Sequence, residues 1–418
     1  MLLGSGLEAI AFQRTRPVFT LLTAEVQSLM DKMVSNNETK LTDALLKESK
    51  IPTILSAASG FDNITMVADQ YAPINAYTNI ITISKMHVFH DKWRRQFTTN
   101  ADAYALYRQT NNVLTGQIDL ETGRVSGDFS KIPLTIGLGN QFLNPKYGFT
   151  AAEVAAILLH ELGHDFTYCY TLHYTCTTNM VLALAAKAIV AESDNRQKHA
   201  IMTDLQNTLG IRIDNMDELT RYDKYEDYYI TMLGSYRKKT YDALGSPSYN
   251  TNMSEQMADM FAARHGGGAA IVTGLNRMNK LFTPPTWYRA IERAQGILAF
   301  VMLSPITVPL FLVGVFVNDF VSGTYDLDKD RFIRIRNEAI ASLKDQSLSS
   351  DEKKTIMSEI DTINEIIKST DNDWSFAGKV AMLVRSSQRT QSRQKNLLQD
   401  LEALTNNPLY VAAAKYSV

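Results

Sequence analysis

His160-Glu161-Leu162-Gly163-His164 decides how this chain is read. Residues four apart on an α-helix share a face, so the two imidazoles of an H-E-x-x-H run can reach one metal ion. The glutamate one position on lies beside that ion, where it can take a proton from a bound water. The pattern predicts a zinc-dependent hydrolase, on condition that the run is helical and that a third ligand exists. The flanks supply the helix. Thr150 followed by Glu153 reads as a capping box, and Val154, Ile157, Leu158 and Leu162 recur at helical spacing. A helix from about Thr150 to about Phe166 is predicted, its apolar stripe in the core and its histidines facing a cleft. The chain has only seven histidines, so a chance pairing at this spacing is rare.

A catalytic zinc takes three protein ligands and leaves one position for water. The class with three histidines close in sequence would need a histidine at position 170, which is Tyr170. His173 falls beyond the predicted helix end and stands in reserve. Glu255, 91 residues downstream of His164, is the better candidate. Glu255 and Asp259 are four apart and share a helix face. One carboxylate can bind the metal while the other accepts the second ring N–H of a ligand histidine and fixes its tautomer. Met257, Met260 and Phe261 would form the core stripe of that helix, and Gly266-Gly267-Gly268 would stop it. The competing reading makes Asn252 an N-cap with Glu255 as its capping-box partner, both acids solvated. Glu192 is a rival ligand, but the residue four later is Arg196, so it lacks an acid behind it. The expected set is His160, His164 and Glu255 on zinc, Glu161 as general base and Asp259 behind a ligand histidine. A tyrosine, Arg264 or His265 is available to stabilise an oxyanion, and the sequence does not choose among them.

Three blocks carry a family resemblance. Thr150 to His164 resembles the active-site helix of the HtpX-like and CAAX-prenyl-endopeptidase zinc metallopeptidases, which are of the gluzincin type. Glu255-Gln-Met-Ala-Asp259 is similar to the helix that carries their third ligand. Thr283-Pro284-Pro285-Thr286, with Arg289 and Arg293, resembles the proline-containing segment that follows it. Together they cover roughly residues 130–295, and Thr283 stands where the family often has a histidine. The resemblance implies an α+β, zincin-like domain, its active-site helix packed on a small mixed sheet, with a peptide or protein substrate. It also implies that an edge strand pairs with the substrate backbone, for which Leu134 to Leu138 is the candidate.

The rest of the chain frames this domain. Composition is globular, 45% apolar and 21% charged, and the net charge of −2 implies no nucleic-acid partner. Cys169 and Cys176 are the only cysteines, and on a helix they stand about 10 Å apart, too far to bridge. No disulfide framework is expected, and a reducing compartment is the default. Met1 to Glu8 has no basic start and does not read as a signal peptide. Ile297 to Val317 carries no charge and is long enough to span a membrane. With Arg289 and Arg293 before it, a span would leave the active site cytoplasmic. Pro305 and Pro309 equally suit a buried hairpin.

Residues 1–50 form a helical segment, with Leu21, Leu22, Val26, Leu29 and Met33 at helical spacing. Residues 51–295 form the peptidase-like domain, turning toward strands from Ile51 to Gly139, with an Ile80 to Ile83 run and a Gln117 to Val125 hairpin. Met180 to Ala191 reads as a second apolar helix. The tyrosine-rich insertion at about 211–245 is a lid or a surface helix pair packed through its aromatics. A hydrophobic segment follows at 296–320 and a helical region at 321–418, with a helix start at Ser349 and Glu352. Residues 388–395 read as a solvated face. A rival function remains: a structural or interaction protein, part of a membrane complex or virion, carrying a peptidase-like zinc domain. In that reading 297–317 and the C-terminal helices mediate membrane or assembly contacts.

Overall fold

The computed structural model describes residues 16–38, 40–69, 75–79, 116–244, 251–282, 328–345 and 347–370. Helix α1 (Pro17–Ser35) opens on a proline whose fixed φ suits the first turn. Its buried face is Leu22, Val26, Leu29 and Met33, while Leu21, read as part of that stripe, turns to solvent. Helix α2 (Asp43–Glu48) is capped by the Thr42 side chain, which accepts the Leu45 N–H. Helix α3 (Ile51–Ser59) occupies a stretch expected to turn toward strands. Pro52 sits in its first turn, Ile51, Leu55 and Ala58 make a helical apolar face, and Gly60 ends it at φ 80°. A Cβ on Gly60 would lie 2.1 Å from the Val125 carbonyl oxygen, so only glycine fits there.

Among the described residues five strands follow: β1 (Ile64–Asp69), β2 (Ala76–Asn79), β3 (Gly116–Asp119), β4 (Arg124–Gly127) and β5 (Leu134–Gly139). The expected hairpin is β3–β4, closed through Gly123 at φ 69°. The other three form a mixed sheet in the order β1-β5-β2, with β1 parallel and β2 antiparallel to β5. This corrects the assignment of Leu134 to Leu138 as the substrate-pairing edge. β5 is the central strand, bonded on both sides, and has no edge left to offer. Its burial betrays this, since five of its six residues are buried without alternation. Among the described residues, β2 is the outer strand on the side away from β1. The Ile80 to Ile83 run lies outside the described residues.

Helix α4 (Ala151–Ala191) is 41 residues long. Its Thr150–Glu153 capping box is present in both directions. It does not end near Phe166, and the apolar stretch from Met180 is its continuation rather than a second helix. No proline or glycine follows Gly163 within it, so nothing in the backbone stops it. Near its start it is buried on nearly every side, Ala155, Ala156 and Leu159 as well as the predicted Val154, Ile157, Leu158 and Leu162. A helix that is apolar all round belongs in the middle of a domain.

Helices α5 (Asn195–Leu209) and α7 (Tyr225–Leu244) pack on the far half of α4, and the short α6 (Met216–Leu219) packs on α5. They build a second core from Leu182, Ala186 and Ile189 of α4, Met202 and Leu205 of α5, and Tyr228, Met232 and Tyr236 of α7. The insertion is thus held by aromatic packing. The Tyr228 hydroxyl reaches the carbonyls of Leu219 and Tyr222 at 2.8 and 2.7 Å. Helix α8 (Thr251–Ala262) runs into a π turn (Ala263–Gly267) and then helix α9 (Gly268–Phe282). The glycine triplet therefore redirects the chain instead of stopping it, with Gly266 at φ 92°.

Helices α10 (Asp328–Ser342) and α11 (Ser350–Ser369) complete the main core through Phe332, Ile335, Ile363 and Ile367. The Ser349–Glu352 capping box at the start of α11 is present. The described chain is mostly helical with a small mixed sheet, an α+β arrangement. Cys169 is free and buried. No helix among the described residues is long and apolar enough to cross a membrane. The 297–317 segment, Thr283 to Arg293, residues 1–15 and the chain beyond 370 lie outside the described residues.

Candidate metal centre

Gly163 is where the centre begins. A Cβ at this position would lie 2.9 Å from both Ala258 Cα and Phe261 Cβ, so α4 and α8 are in backbone contact. Glycine inside a helix costs about 1 kcal/mol relative to alanine. Here it lets α8 lie down on the histidine face of α4.

Three ligand-type groups meet as a result. His160 Nε2 and His164 Nε2 are 3.1 Å apart. Glu255 Oε2 lies 3.4 Å from His160 Nε2, and Oε1 lies 3.5 Å from His164 Nε2. These three residues form a cluster that could bind a metal ion. Asp259 Oδ1 is 3.0 Å from His160 Nδ1, and Ser254 Oγ is 2.7 Å from His164 Nδ1. Each ring therefore has an oxygen behind it, which turns the two Nε2 atoms toward each other and toward Glu255. The solvated-acid alternative fails: Glu255 and Asp259 are both buried.

The charges explain each other. Burial opposes charge on His160, but the Asp259 and Glu255 carboxylates outweigh it and hold its pKa up at about 10. Burial and the charge on His160 push His164 down to about 4. Burial lifts the Glu161 carboxyl to about 7, with His160 pulling it back. Burial opposes ionisation of Glu255, yet His160 leaves it below its usual range. Asp259 is also held low against its burial, chiefly by Arg331.

Arg331, on α10, has no sequence signal that links it to this site. Its Nε and Nη2 donate to Asp259 Oδ2 and Oδ1, both at 2.8 Å, and Nη2 also lies 3.2 Å from Glu255 Oε2. Thr78 on β2 was also missed. Its hydroxyl lies 2.9 and 2.7 Å from the two oxygens of Asp165, and its backbone N–H donates to Glu161. Burial holds the Asp165 carboxyl well above its ordinary pKa. The i,i+4 spacing of Glu161 and Asp165 could have marked Asp165 as sharing the face of Glu161; Thr78 and Arg331 sit too far away in sequence.

The centre opens into a cleft of about 690 Å³. One wall is Asn75 to Thr78 of the β2 region, and the other includes Ile271, Leu275 and Met278 of α9, with the histidines, Glu161 and Arg331 between. Other candidates lie elsewhere. His173 is inside α4 and packs edge-on to Phe129. Glu192 caps the far end of α4, about 40 Å along the helix from His164. Arg264 pairs with Glu338 on α10, and His265 packs against Phe261; neither lines the cleft. No residue of the 211–245 insertion lines it among the described residues. Comparison with protein-family models, with curated proteins and with solved structures gave no match.

Proposed function

We propose that the protein is a zinc-dependent metalloendopeptidase of zincin-like build. The observation that carries this reading is the convergence of His160, His164 and Glu255 beside a buried glutamate. Nitrogen and oxygen ligands about 2.0–2.2 Å from a tetrahedral zinc stand about 3.3 Å from one another. Here the two Nε2 atoms are 3.1 Å apart and each has one oxygen of the Glu255 carboxylate within 3.5 Å, Oε2 for His160 and Oε1 for His164, so the three side chains converge at about that scale. His160, His164 and Glu255 would hold the ion, and the cleft side remains for water.

Zinc, when bound, supplies a Lewis acid for the scissile carbonyl and a water of lowered pKa. Glu161 takes the proton from the attacking water and delivers it to the leaving amine, and a carboxyl near pH 7 is well matched to both transfers. The Thr78 N–H orients Glu161. Asp259 and Ser254 fix the ligand imidazoles. A substrate backbone would add to β2, the outer strand along the cleft, in place of the central β5. Ile271, Leu275 and Met278, at i, i+4 and i+7 of α9, offer an apolar surface to a side chain next to the scissile bond.

The test is metal content and cleavage of an unfolded protein substrate, for wild type, Glu161→Gln and Glu255→Ala. One zinc per chain is expected in wild type and Glu161→Gln, and much less in Glu255→Ala. Cleavage should fall by at least about 10²-fold in Glu161→Gln. A zinc-loaded wild type that cleaves nothing would favour the structural or interaction role instead. Undiminished cleavage by Glu161→Gln would remove the mechanism.

A further inference from the structure

Asp259 Oδ1 lies 3.0 Å from His160 Nδ1 and accepts from Arg331 Nη2 at 2.8 Å. The other carboxylate oxygen takes the Arg331 Nε at 2.8 Å. A planar guanidinium bound at two points fixes the plane of a carboxylate as well as its place. That plane aims Oδ1 at the imidazole behind the centre. The same Nη2 reaches Glu255 Oε2. Glu255 and Asp259 are like charges one helical turn apart on α8, and both are buried, an arrangement that repels unless a cation lies between them. Arg331 is a cation in contact with both carboxylates.

The arginine is held firmly. Next to it on α10, Phe332 and Ile335 are buried in the main core. Arg264 of the π turn pairs with Glu338 on α10, and Arg336 Nη1 donates to Asn364 Oδ1 of α11 at 3.3 Å. The guanidinium is therefore delivered to α8 from a packed helix, 72 residues beyond Asp259 in the chain.

We propose that Arg331 is a positioning residue of the metal centre: by gripping Asp259 at two points and sharing Nη2 with Glu255, it sets both carboxylates, and metal affinity depends on α10. This rests on the zinc reading above. It makes the C-terminal helical region part of the site rather than an appendage to it.

The experiment is zinc affinity by competition with a chromogenic chelator, with the visible spectrum of the Co²⁺ form as a second readout. The proteins are wild type, Arg331→Met, Arg331→Lys, Asp259→Asn and the Asp259→Asn/Arg331→Met double variant, each checked for fold by circular dichroism. Arg331→Met should weaken zinc by about 10–100-fold, the range for groups that orient a ligand. Arg331→Lys should not restore it, because a compact ammonium cannot span both carboxylates. The double variant should lose less than the sum of the two single losses, because Arg331 acts in large part through Asp259. The Co²⁺ bands should shift in both Arg331 variants.

Wild-type affinity in a folded Arg331→Met would overturn the proposal, as would full rescue by lysine or additive losses in the double variant. If Arg331→Met does not fold, the lysine and double variants decide by the same criteria. Failure of all three to fold would make Arg331 a structural brace and overturn its role at the metal. A wild type that takes up neither zinc nor cobalt sinks the zinc reading and this proposal with it, whereas a wild type that binds while its Arg331 variants bind equally well sinks the proposal alone.

Discussion

Gly163 is the smallest residue of the H-E-x-x-H run and the one on which the two ligand helices close. Gly163→Ala adds a Cβ 2.9 Å from Ala258 Cα, and backbone cannot swing away as a flexible side chain would. A loss of about 1–3 kcal/mol is expected despite the better helix propensity of alanine. Zinc affinity should weaken with it, because Glu255 moves off the histidines. Denaturant unfolding with a parallel zinc titration measures both, and a more stable variant would refute the account. His265 permits a pH prediction. It is 2% exposed, and burial holds its pKa at about 4 against an ordinary 6.5. Its contribution is complete above pH 6.5. Between pH 6.5 and 4 the unfolded chain takes up a proton that the folded chain refuses, so stability falls as the pH drops. Relative to His265→Gln, wild type should lose up to about 1.4 kcal/mol per pH unit across that window. Parallel stability curves would count against this. At this scale the sequence was most readable where function repeats at helical spacing: His160 with His164, Glu255 with Asp259. Ser254, Thr78 and Arg331 contact the same groups but obey no spacing rule, because tertiary packing alone brings them there.

Helix α4 was harder to read than its motif. Its capping box marks where it starts, but its end had to be inferred, and polar residues after Phe166 imitate a terminus. Thr167 and Thr171 are in fact buried within it, and the hydroxyl of Thr167 donates to the His164 carbonyl at 3.1 Å. The order of strands in the sheet escapes the sequence for a related reason. The apolar β5 is easy to find, but its place in the sheet depends on β1 and β2, which pair with it from distant parts of the chain. The length of α4 has a testable effect. Proline at Ala183 removes a backbone hydrogen bond beyond the half that carries the histidines and costs about 3 kcal/mol or more. Ala183→Pro should loosen the Tyr228–Tyr236 core, seen as changed tyrosine fluorescence, while zinc affinity stays near wild type. Equal loss at the metal centre would show that the two halves of α4 are not separable.

Across the whole molecule, two cores share one helix, and the metal centre belongs to the first. Zinc should therefore stabilise unevenly. At a free concentration 100 times its Kd, it adds about 2.7 kcal/mol to whatever unit unfolds with the site. Chelation should lower the melting of the core containing α1, α8 and α9, and leave the α5–α7 core nearly unmoved. Calorimetry with and without chelator tests this, and an equal shift of both would merge the cores into one cooperative unit. The separation of the ligands along the chain also gives the site a history. During synthesis the two histidines emerge together, but Glu255 follows only after the α5–α7 segment, and Arg331 later still. Contacts between distant segments form late, after local helices. A nascent chain thus presents the two imidazoles without their carboxylate while the 91 residues from His164 to Glu255 are made. Tight zinc capture therefore waits for α8 to dock on α4, so the metal site is assembled only as the main core around it closes.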